Sequence, residues 1–197
     1  KHKIGMLYEC CGKPMYELGI ISETESNLKL MERRLIENGV EELVLLCPNC
    51  YYFMKGKIQI PIVSIYEKLK ELGEGNVVER EKFPIYYPCP DRKDKIFFEN
   101  VKYFLKGDIT EPFQNVQCCG LGGCAAVKEP ELSREMPKQL IASDEKELYT
   151  YCASCICNVK RNGYEQAYHF LPMILGINER VPLGIQTIFN RAKYRFL

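Results

Sequence analysis

Adjacent pairs of cysteines are the most constraining feature of this sequence. In the stretch Cys118-Cys119-Gly120-Leu121-Gly122-Gly123-Cys124, two neighbouring cysteines run into a glycine loop. A second pair, Cys10-Cys11-Gly12, lies in the first half of the chain. Thiolates are soft ligands suited to iron-sulfur clusters or zinc, and glycines beside them let backbone amides come close to sulfur atoms. The two pairs therefore favour a protein that binds a metal or a metal cluster.

A CxxC motif follows each pair at a similar distance. Cys47-Pro48-Asn49-Cys50 follows the first pair, and Cys152-Ala153-Ser154-Cys155 follows the second. The pairs are offset by 108 residues and the CxxC motifs by 105 residues. Such self-similarity predicts two similar small α/β units related by a pseudo-twofold axis. We expect the first unit over residues 1–76 and the second, with a C-terminal tail, over residues 77–197.

Hydrophobic patterns predict how the cysteines are placed in the fold. Leu43 to Leu46 is a continuous apolar run of the buried parallel-strand type, and it leads directly into Cys47. Leu148 to Tyr151 leads into Cys152 in the same way. We therefore expect the cysteine sets at the carboxyl ends of strands. The other predicted strands are 3–8, 58–63 and 83–87, and the predicted helices are 23–38, 65–72, 94–105, 131–142 and 167–175.

Composition argues against two classes of partner. Lys and Arg number 27 against 26 acidic residues, so the chain has no basic field that would follow a phosphate backbone, and we expect no nucleic-acid partner. The apolar runs are far shorter than the roughly 20 residues of a membrane-spanning helix, and no signal-peptide pattern opens the chain. These features predict a cytoplasmic protein without a membrane span.

Eleven cysteines are too many for incidental core packing, and three chemistries can use them. A metal centre is the first. Vicinal disulfides together with a thioredoxin-like dithiol at Cys47 and Cys50 are the second. Two structural zinc sites that staple a non-catalytic interaction module are the third, although adjacent cysteines suit tetrahedral zinc less naturally than cysteines separated by two residues. We favour the metal centre, with the zinc-stapled module as the alternative.

The full pattern resembles that of the cysteine-rich CCG-domain family, whose best-known member is a subunit of heterodisulfide reductase. The family pattern is a leading cysteine, then Cys-Cys-Gly, then CxxC, usually present twice. Cys89, Cys118-Cys119-Gly120 and the second CxxC motif match it in full. The first set matches without its leading cysteine, whose counterpart would lie upstream of residue 1. No histidine stands beside Cys89, where the family commonly has one.

The resemblance implies one or two iron-sulfur clusters, of the non-cubane 4Fe-4S type, bound by cysteine thiolates. The implied ligands are Cys10, Cys11, Cys47 and Cys50 in the first set and Cys89, Cys118, Cys119, Cys152 and Cys155 in the second. Glycines that would allow close approach to a cluster are Gly12, Gly120, Gly122 and Gly123.

The resemblance also implies a redox function. Relatives serve as subunits that transfer electrons or reduce disulfides, so we expect electrons to pass to a disulfide or another small two-electron acceptor. No flavin or nicotinamide motif is visible, and an electron-donating flavin or ferredoxin-like subunit is the expected partner. Cys124 and Cys157 are expected to pack as small apolar residues. His169 is expected in the core or beside a ligand, not as a ligand itself.

Overall fold

Short parallel strands alternate with short helices in the computed structural model, which describes residues 4–122, 124–178 and 189. This arrangement confirms the mixed α/β class. The helices are α1 Lys13–Glu17, α2 Ile21–Glu37, α3 Pro48–Met54, α4 Ile65–Leu72, α5 Ile96–Lys102, α6 Ala125–Lys128, α7 Pro130–Glu135, α8 Lys138–Ile141, α9 Ala153–Arg161 and α10 Phe170–Ile174. The strands are β1 Leu43–Leu45, β2 Ile62–Ser64, β3 Val78–Pro84, β4 Leu105–Thr110, β5 Leu148–Thr150 and β6 Ala167–His169.

One strand-helix-strand-helix arrangement occurs twice. β1 pairs in parallel with β2, Leu43 opposite Ile62, and α3 and α4 follow the two strands. β5 pairs in parallel with β6, Leu148 opposite Ala167, followed by α9 and α10. Each residue of the second pair lies 105 positions after its counterpart, which is the offset of the two CxxC motifs. The relation of the two arrangements by a pseudo-twofold axis stays a prediction, as does the division into residues 1–76 and 77–197.

A third parallel pair brings the leading cysteine towards the second CxxC motif. β3 pairs in parallel with β4, a strand that the sequence patterns did not predict. Beyond the end of β3, Ile85 forms a parallel bridge with Tyr149, and the Tyr86 N–H donates to the Tyr149 carbonyl at 2.9 Å. The chain thus runs beside β5 just before it reaches Cys89.

Several predicted elements are confirmed, and others are wrong. The predicted helices over 23–38 and 65–72 appear as α2 and α4, and the runs before the two CxxC motifs appear as β1 and β5. Residues 4–8 are not a strand: they pair with no other strand among the described residues, and Ile4 is 82% exposed. The first cysteine pair therefore does not follow a strand, and neither does Cys118, which follows an irregular loop. Cysteines at strand ends are confirmed only for the CxxC motifs.

Three predicted helices have different bounds. The helix over 94–105 ends at Lys102, and Leu105 instead begins β4. The helix over 131–142 is divided into α7 and α8 at Pro137, because proline has no N–H to donate to the preceding turn. Residues 167–169 form β6 because they pair with β5, and only the rest of the last predicted helix is helical.

The largest hydrophobic core contains residues from both halves of the chain. Aromatic rings dominate it: Tyr66 lies edge-on to Phe97 and to Tyr151, and Phe83 lies edge-on to Tyr149. Edge-to-face pairs of this kind add to the free energy gained by burying the rings. The cysteine-bearing segments thus pack against a core of aromatic rings. None of the helices in the described ranges is both long and apolar enough to cross a membrane.

The carboxylate of Asp91 is fully buried within this aromatic core. It accepts hydrogen bonds from the hydroxyls of Tyr52 and Tyr151, each at 2.6 Å. It also accepts hydrogen bonds from the N–H groups of Phe97 at 3.0 Å and Phe98 at 3.1 Å, at the start of α5. These donors satisfy a charge that would otherwise be costly to bury.

The bonds to Asp91 join segments that carry three of the predicted ligands. Tyr52 follows Cys50 by two residues, Asp91 follows Cys89 by two residues, and Tyr151 immediately precedes Cys152. One side chain therefore fixes the spacing between parts of the first and second cysteine sets.

Glycine is required after each cysteine pair by backbone conformation and by space. Gly12 and Gly120 both have a φ of 82°, in the left-handed region that other residues rarely adopt. A Cβ atom at Gly120 would lie 2.5 Å from the Ser133 carbonyl oxygen, and one at Gly12 would lie 2.8 Å from Cγ2 of Thr24. By contrast, a Cβ atom at Gly122 would meet only the Asn49 amide nitrogen, at 3.8 Å.

We expect Asp91→Ala to lower the free energy of unfolding by about 3 kcal/mol or more, because it leaves buried hydroxyl and N–H donors without an acceptor. Chemical denaturation measures this loss. Asp94→Asn, in the same loop but exposed, is the matched control and should have little effect. Equal stability of the two variants would show that the Asp91 hydrogen bonds do not hold the fold together.

We expect Gly120→Ala to destabilise the protein by about 2 kcal/mol, because alanine would be strained at this φ and would collide with Ser133. Gly122→Ala should be tolerated, since its Cβ would find room. Thermal unfolding of the two purified variants checks the difference. A Gly120→Ala protein as stable as Gly122→Ala would contradict the assigned turn geometry.

Candidate metal centre

The first cysteine set is assembled from two turns. Cys10 and Cys11 precede α1, whereas Cys47 is the N-cap of α3 and Cys50 lies in its first turn. Their side chains form a chain of contacts that runs through Cys10, Cys11, Cys50 and Cys47. The structure therefore brings all four predicted ligands of this set together.

Thiols and thiolates alternate along this chain of side-chain contacts. Hydrogen bonds from Cys10 and Cys50 lower the pKa of Cys11 to about 3, assisted by the N–H and the positive charge of Lys13. The S–H proton of Cys50, shared between Cys11 and Cys47, and the N–H groups of Cys50 and Asn49 lower the pKa of Cys47 to about 7. The same bonds raise the pKa values of Cys10 and Cys50, which act as donors. Thiolates are the form of cysteine that binds metals.

The second set contains five thiols in a longer chain. Cys89 contacts Cys118, Cys118 contacts Cys119, Cys119 contacts Cys155, and Cys155 contacts Cys152. The structure thus brings the leading cysteine, the pair and the CxxC motif into one site. Cys119, Cys152 and Cys155 are almost wholly buried, at 3%, 1% and 2% exposure, whereas Cys89 is exposed.

Cys118 is the most acidic thiol of the second set. Hydrogen bonds from Cys119 and Cys89 lower its pKa to about 2, and the N–H of Gly120, 3.3 Å from its Sγ atom, and the charge of Arg92 act in the same direction. The hydrogen bond to Cys118 in turn raises the pKa of Cys119 to about 12. The pKa of Cys152 is also lowered, chiefly by the hydrogen bond from Cys155, whose own pKa is raised.

Backbone N–H groups surround both sets. Gly12 and Gly120 occupy equivalent places, and the N–H of Gly12 lies 3.5 Å from Sγ of Cys10. At the first turns of α3 and α9, N–H groups point to Sγ of Cys47 and of Cys152. Such donors stabilise negative charge on sulfur, whether the sulfur is a free thiolate or a metal ligand. Gly123 lies outside the described residues.

The two sets lie close to one another, with Lys13 between them. The Lys13 ammonium donates to Oδ1 of Asn49, inside the first CxxC motif, at 2.6 Å. Its positive charge helps to lower the pKa of Cys11. The same charge also acts on Cys89, where it partly offsets the rise in pKa caused by the hydrogen bond to Cys118. Cys47 and Cys152 are near enough for their charges to repel one another. The sets therefore lie close together and not at opposite ends of the molecule.

Arg92 and Lys13 are charged residues that the sequence reasoning missed. Arg92 donates to the Tyr87 carbonyl and to the Val116 carbonyl, and so connects the segments that lead to Cys89 and Cys118. It also borders a cavity of about 280 Å³. The other residues that line this cavity are Tyr87, Lys95, Glu111, Phe113 and Gln114. In the sequence, only their position could have indicated these two cations, since each lies two or three residues from a predicted ligand.

The remaining candidates have different surroundings. Cys124 and Cys157 are both partly exposed, and their packing as small apolar residues stays a prediction. His169 is buried and caps α10, its Nδ1 atom accepting the Leu171 N–H at 3.1 Å. Burial lowers its pKa to about 4. The prediction of a core histidine is confirmed.

The donor set suits a thiolate-bound cluster. All eleven cysteines are free, so neither adjacent pair forms a vicinal disulfide. Within the described ranges, no three Cys, His, Asp or Glu side chains are arranged to hold a single metal ion. The thiols form two groups bordered by backbone N–H donors, and cysteine thiolates with such donors are the ligands that iron-sulfur clusters use. Their assignment as metal ligands stays a prediction.

Comparison with known proteins places these features in a family. The model of the cysteine-rich CCG domain matches residues 2–55 and 86–160, which include all nine predicted cysteine ligands. An uncharacterized iron-sulfur protein of Methanococcus maripaludis is 25% identical over 168 residues, which cover 77% of this chain and 33% of that protein. This chain therefore spans about a third of that relative.

A second relative is covered over more of its length. Lactate utilization protein A 1 of Bacillus mycoides is 26% identical over 189 residues, and the match covers 79% of this chain and 76% of the relative. The family match spans more than half of the sequence and contains both cysteine sets. The chain therefore belongs to the cysteine-rich CCG-domain family.

Proposed function

We propose that this chain is an iron-sulfur redox subunit whose two cysteine sets hold the cluster or clusters. The observation that carries the proposal is the grouping of nine free thiols in two neighbouring sets, each with stabilised thiolates. Membership of the CCG family and the similarity to a protein named as an iron-sulfur protein support it.

Each set has a defined group of ligands in this proposal. Cys10, Cys11, Cys47 and Cys50 hold the first cluster, and Cys89, Cys118, Cys119, Cys152 and Cys155 hold the second. Iron-sulfur clusters bound by thiolates supply one-electron transfer at potentials set by charge, burial and hydrogen bonds to sulfur. The 4Fe-4S composition and the non-cubane type follow from the family resemblance and are part of the proposal.

The protein's own residues would control access to the two sites. Cys119, Cys152 and Cys155 belong to a hydrophobic cluster with Tyr86 and Phe113, which keeps water from the inner side of the second set. Cys10 and Cys89 are exposed and leave an outer side open. An acceptor would approach from this open side, where Lys13 carries a positive charge between the sets.

The preferred acceptor is a disulfide or another small two-electron acceptor, as the resemblance to heterodisulfide reductase implies. Reduction of a disulfide consumes two electrons and two protons, breaks one S–S bond and leaves two thiols. Two neighbouring one-electron sites could together supply the two electrons. The electrons come from a flavin or ferredoxin-like partner subunit, since the chain shows no flavin motif of its own. The nearness of Cys47 and Cys152 supports this arrangement.

We expect anaerobically purified protein to contain iron and acid-labile sulfide. Because the two proposed clusters share no cysteine ligand, Cys50→Ser and Cys155→Ser should each lower the iron and sulfide contents by about half. Elemental analysis and electron paramagnetic resonance measure the outcome. Cys124→Ser, outside both thiol chains, is the control and should retain full content. Zinc without sulfide would contradict the redox proposal and favour a zinc-stapled interaction module.

In metal-free protein at about pH 6, we expect Cys118 to be alkylated faster than Cys89, although Cys89 is the more exposed. This pH lies above the pKa of Cys118, about 2, so that thiol is ionised, whereas the raised pKa of Cys89 keeps it protonated. Iodoacetamide labelling followed by peptide mass spectrometry measures both rates. The difference should disappear in denaturant. Faster labelling of Cys89 in the folded protein would contradict the assigned thiolate.

A further inference from the structure

Arg92 lies beside the second cysteine set, and its hydrogen-bond acceptors among the described residues are all neutral oxygen atoms. Its Nη1 atom donates to the carbonyl oxygen of Gln117 at 3.0 Å and to the Oε1 atom of the same residue at 3.1 Å. Its Nη2 atom donates to the carbonyl oxygens of Val116 at 2.7 Å and Tyr87 at 3.2 Å. Among the residues that the structure describes, no Asp or Glu forms an ion pair with it.

A neighbouring cation on the same cavity wall differs in this respect. The Lys95 ammonium lies 3.3 Å from Oε1 of Glu111, so a carboxylate compensates its charge. Lys13, beside the first set, likewise lies 3.6 Å from Glu17. Arg92 is half-buried, and within the described ranges its guanidinium is bound only to carbonyl and amide oxygens. No carboxylate in this part of the chain therefore neutralises its charge, which remains able to attract an anion nearby. The second cysteine set is near enough for this charge to act on Cys118.

The hydrogen bonds of Arg92 connect two ligand-bearing segments that are distant in sequence. Tyr87 precedes Cys89 by two residues, and Gln117 immediately precedes Cys118. A guanidinium is planar and presents its donors in a fixed fork, so it holds both segments at a defined separation. The ring of Tyr86 lies 5.9 Å from the guanidinium carbon and limits the movement of the group on one side.

A fixed positive charge beside a thiolate set favours its reduced state. Gain of one electron makes a thiolate-bound cluster more negative by one charge, and a cation that is not compensated attracts the reduced form more strongly than the oxidised form. Partial burial reduces screening by solvent and salt. The reduction potential at this set should therefore depend on Arg92 more than on the surrounding surface lysines.

We propose that Arg92 is the positioning residue of the second cysteine set, holding Cys89 beside Cys118 and raising the reduction potential of the cluster bound there. This inference rests on the proposed function, because it requires an iron-sulfur cluster at that set. The step affected is the gain of one electron from the donor subunit, with no bond formed or broken.

The test uses the full chain carrying Cys50→Ser, so that the remaining cluster signal comes from the second set. Arg92→Gln removes the charge, Arg92→Lys keeps the charge without the fork, and Lys95→Asn removes a compensated charge from the same cavity wall. Each protein is titrated with a reductant under electron paramagnetic resonance, and its iron and sulfide are measured. We expect Arg92→Gln to lower the ratio of reduced to oxidised cluster about tenfold at a fixed potential, equivalent to about 59 mV for a one-electron couple.

The other variants separate the two roles of Arg92. Arg92→Lys should lose part of its iron and sulfide but keep a potential close to that of the Cys50→Ser reference. Lys95→Asn should match the reference in both measurements. If Arg92→Gln retains no cluster, the Arg92→Lys titration decides the role of the charge, and a potential far below the reference would then overturn the proposal.

Three results would refute the inference. The first is an Arg92→Gln protein that retains its cluster and titrates like the reference. The second is an equal shift in Lys95→Asn, which would show a general effect of surface charge. The third is full iron and sulfide content in Arg92→Lys and Arg92→Gln alike, which would refute the positioning role. Absence of iron and sulfide from the protein without substitutions would instead overturn the proposed function.

Discussion

Four hydrogen bonds to the buried carboxylate of Asp91 hold the cysteine-bearing segments in one arrangement. Tyr52 and Tyr151 bring to this carboxylate the chain that follows Cys50 and the chain that precedes Cys152, and α5 adds two N–H groups from its first turn. A carboxylate without these donors would be too costly to bury, and the donors would be equally costly to bury without it. The polar network and the aromatic core around it are therefore interdependent. Because the network reaches segments of both sets, the geometry of each set depends on the same centre.

Around this centre, the two sets are built alike but placed in different electrostatic surroundings. Each has a left-handed glycine after its cysteine pair and a CxxC motif at the start of a helix, so backbone N–H groups point to equivalent sulfur atoms in both. The first set lies near Lys13, which forms an ion pair with Glu17 and donates a hydrogen bond to Asn49. The second set is more deeply buried and lies near Arg92. If both sets hold clusters, as proposed, similar thiols in different electric fields would give them different reduction potentials.

Sequence reasoning succeeded where the structure follows from local pattern. The apolar runs before Cys47 and Cys152 became β1 and β5 because continuous hydrophobic stretches are buried as parallel strands. It failed where an element depends on a distant partner. Ile4 to Tyr8 has an apolar character like that of a strand but remains exposed without a neighbour among the described residues, and Ala167 to His169 has helical spacing but pairs with β5. Whether a short apolar segment becomes a strand is decided by which backbone lies beside it.

The sequence by itself determined the kind of chemistry and its repetition: the cysteine pairs, the CxxC motifs and their offsets indicated a thiolate site and the CCG family. Cysteine type and spacing are local properties, and metal ligation depends directly on them. Only the tertiary structure decided that the two sets lie close together, that Asp91 joins them, and that Arg92 stands beside one of them without a carboxylate partner in the described part of the chain. These features arise from contacts between residues far apart in the chain, and burial and uncompensated charge are properties of the folded surroundings that no local pattern encodes.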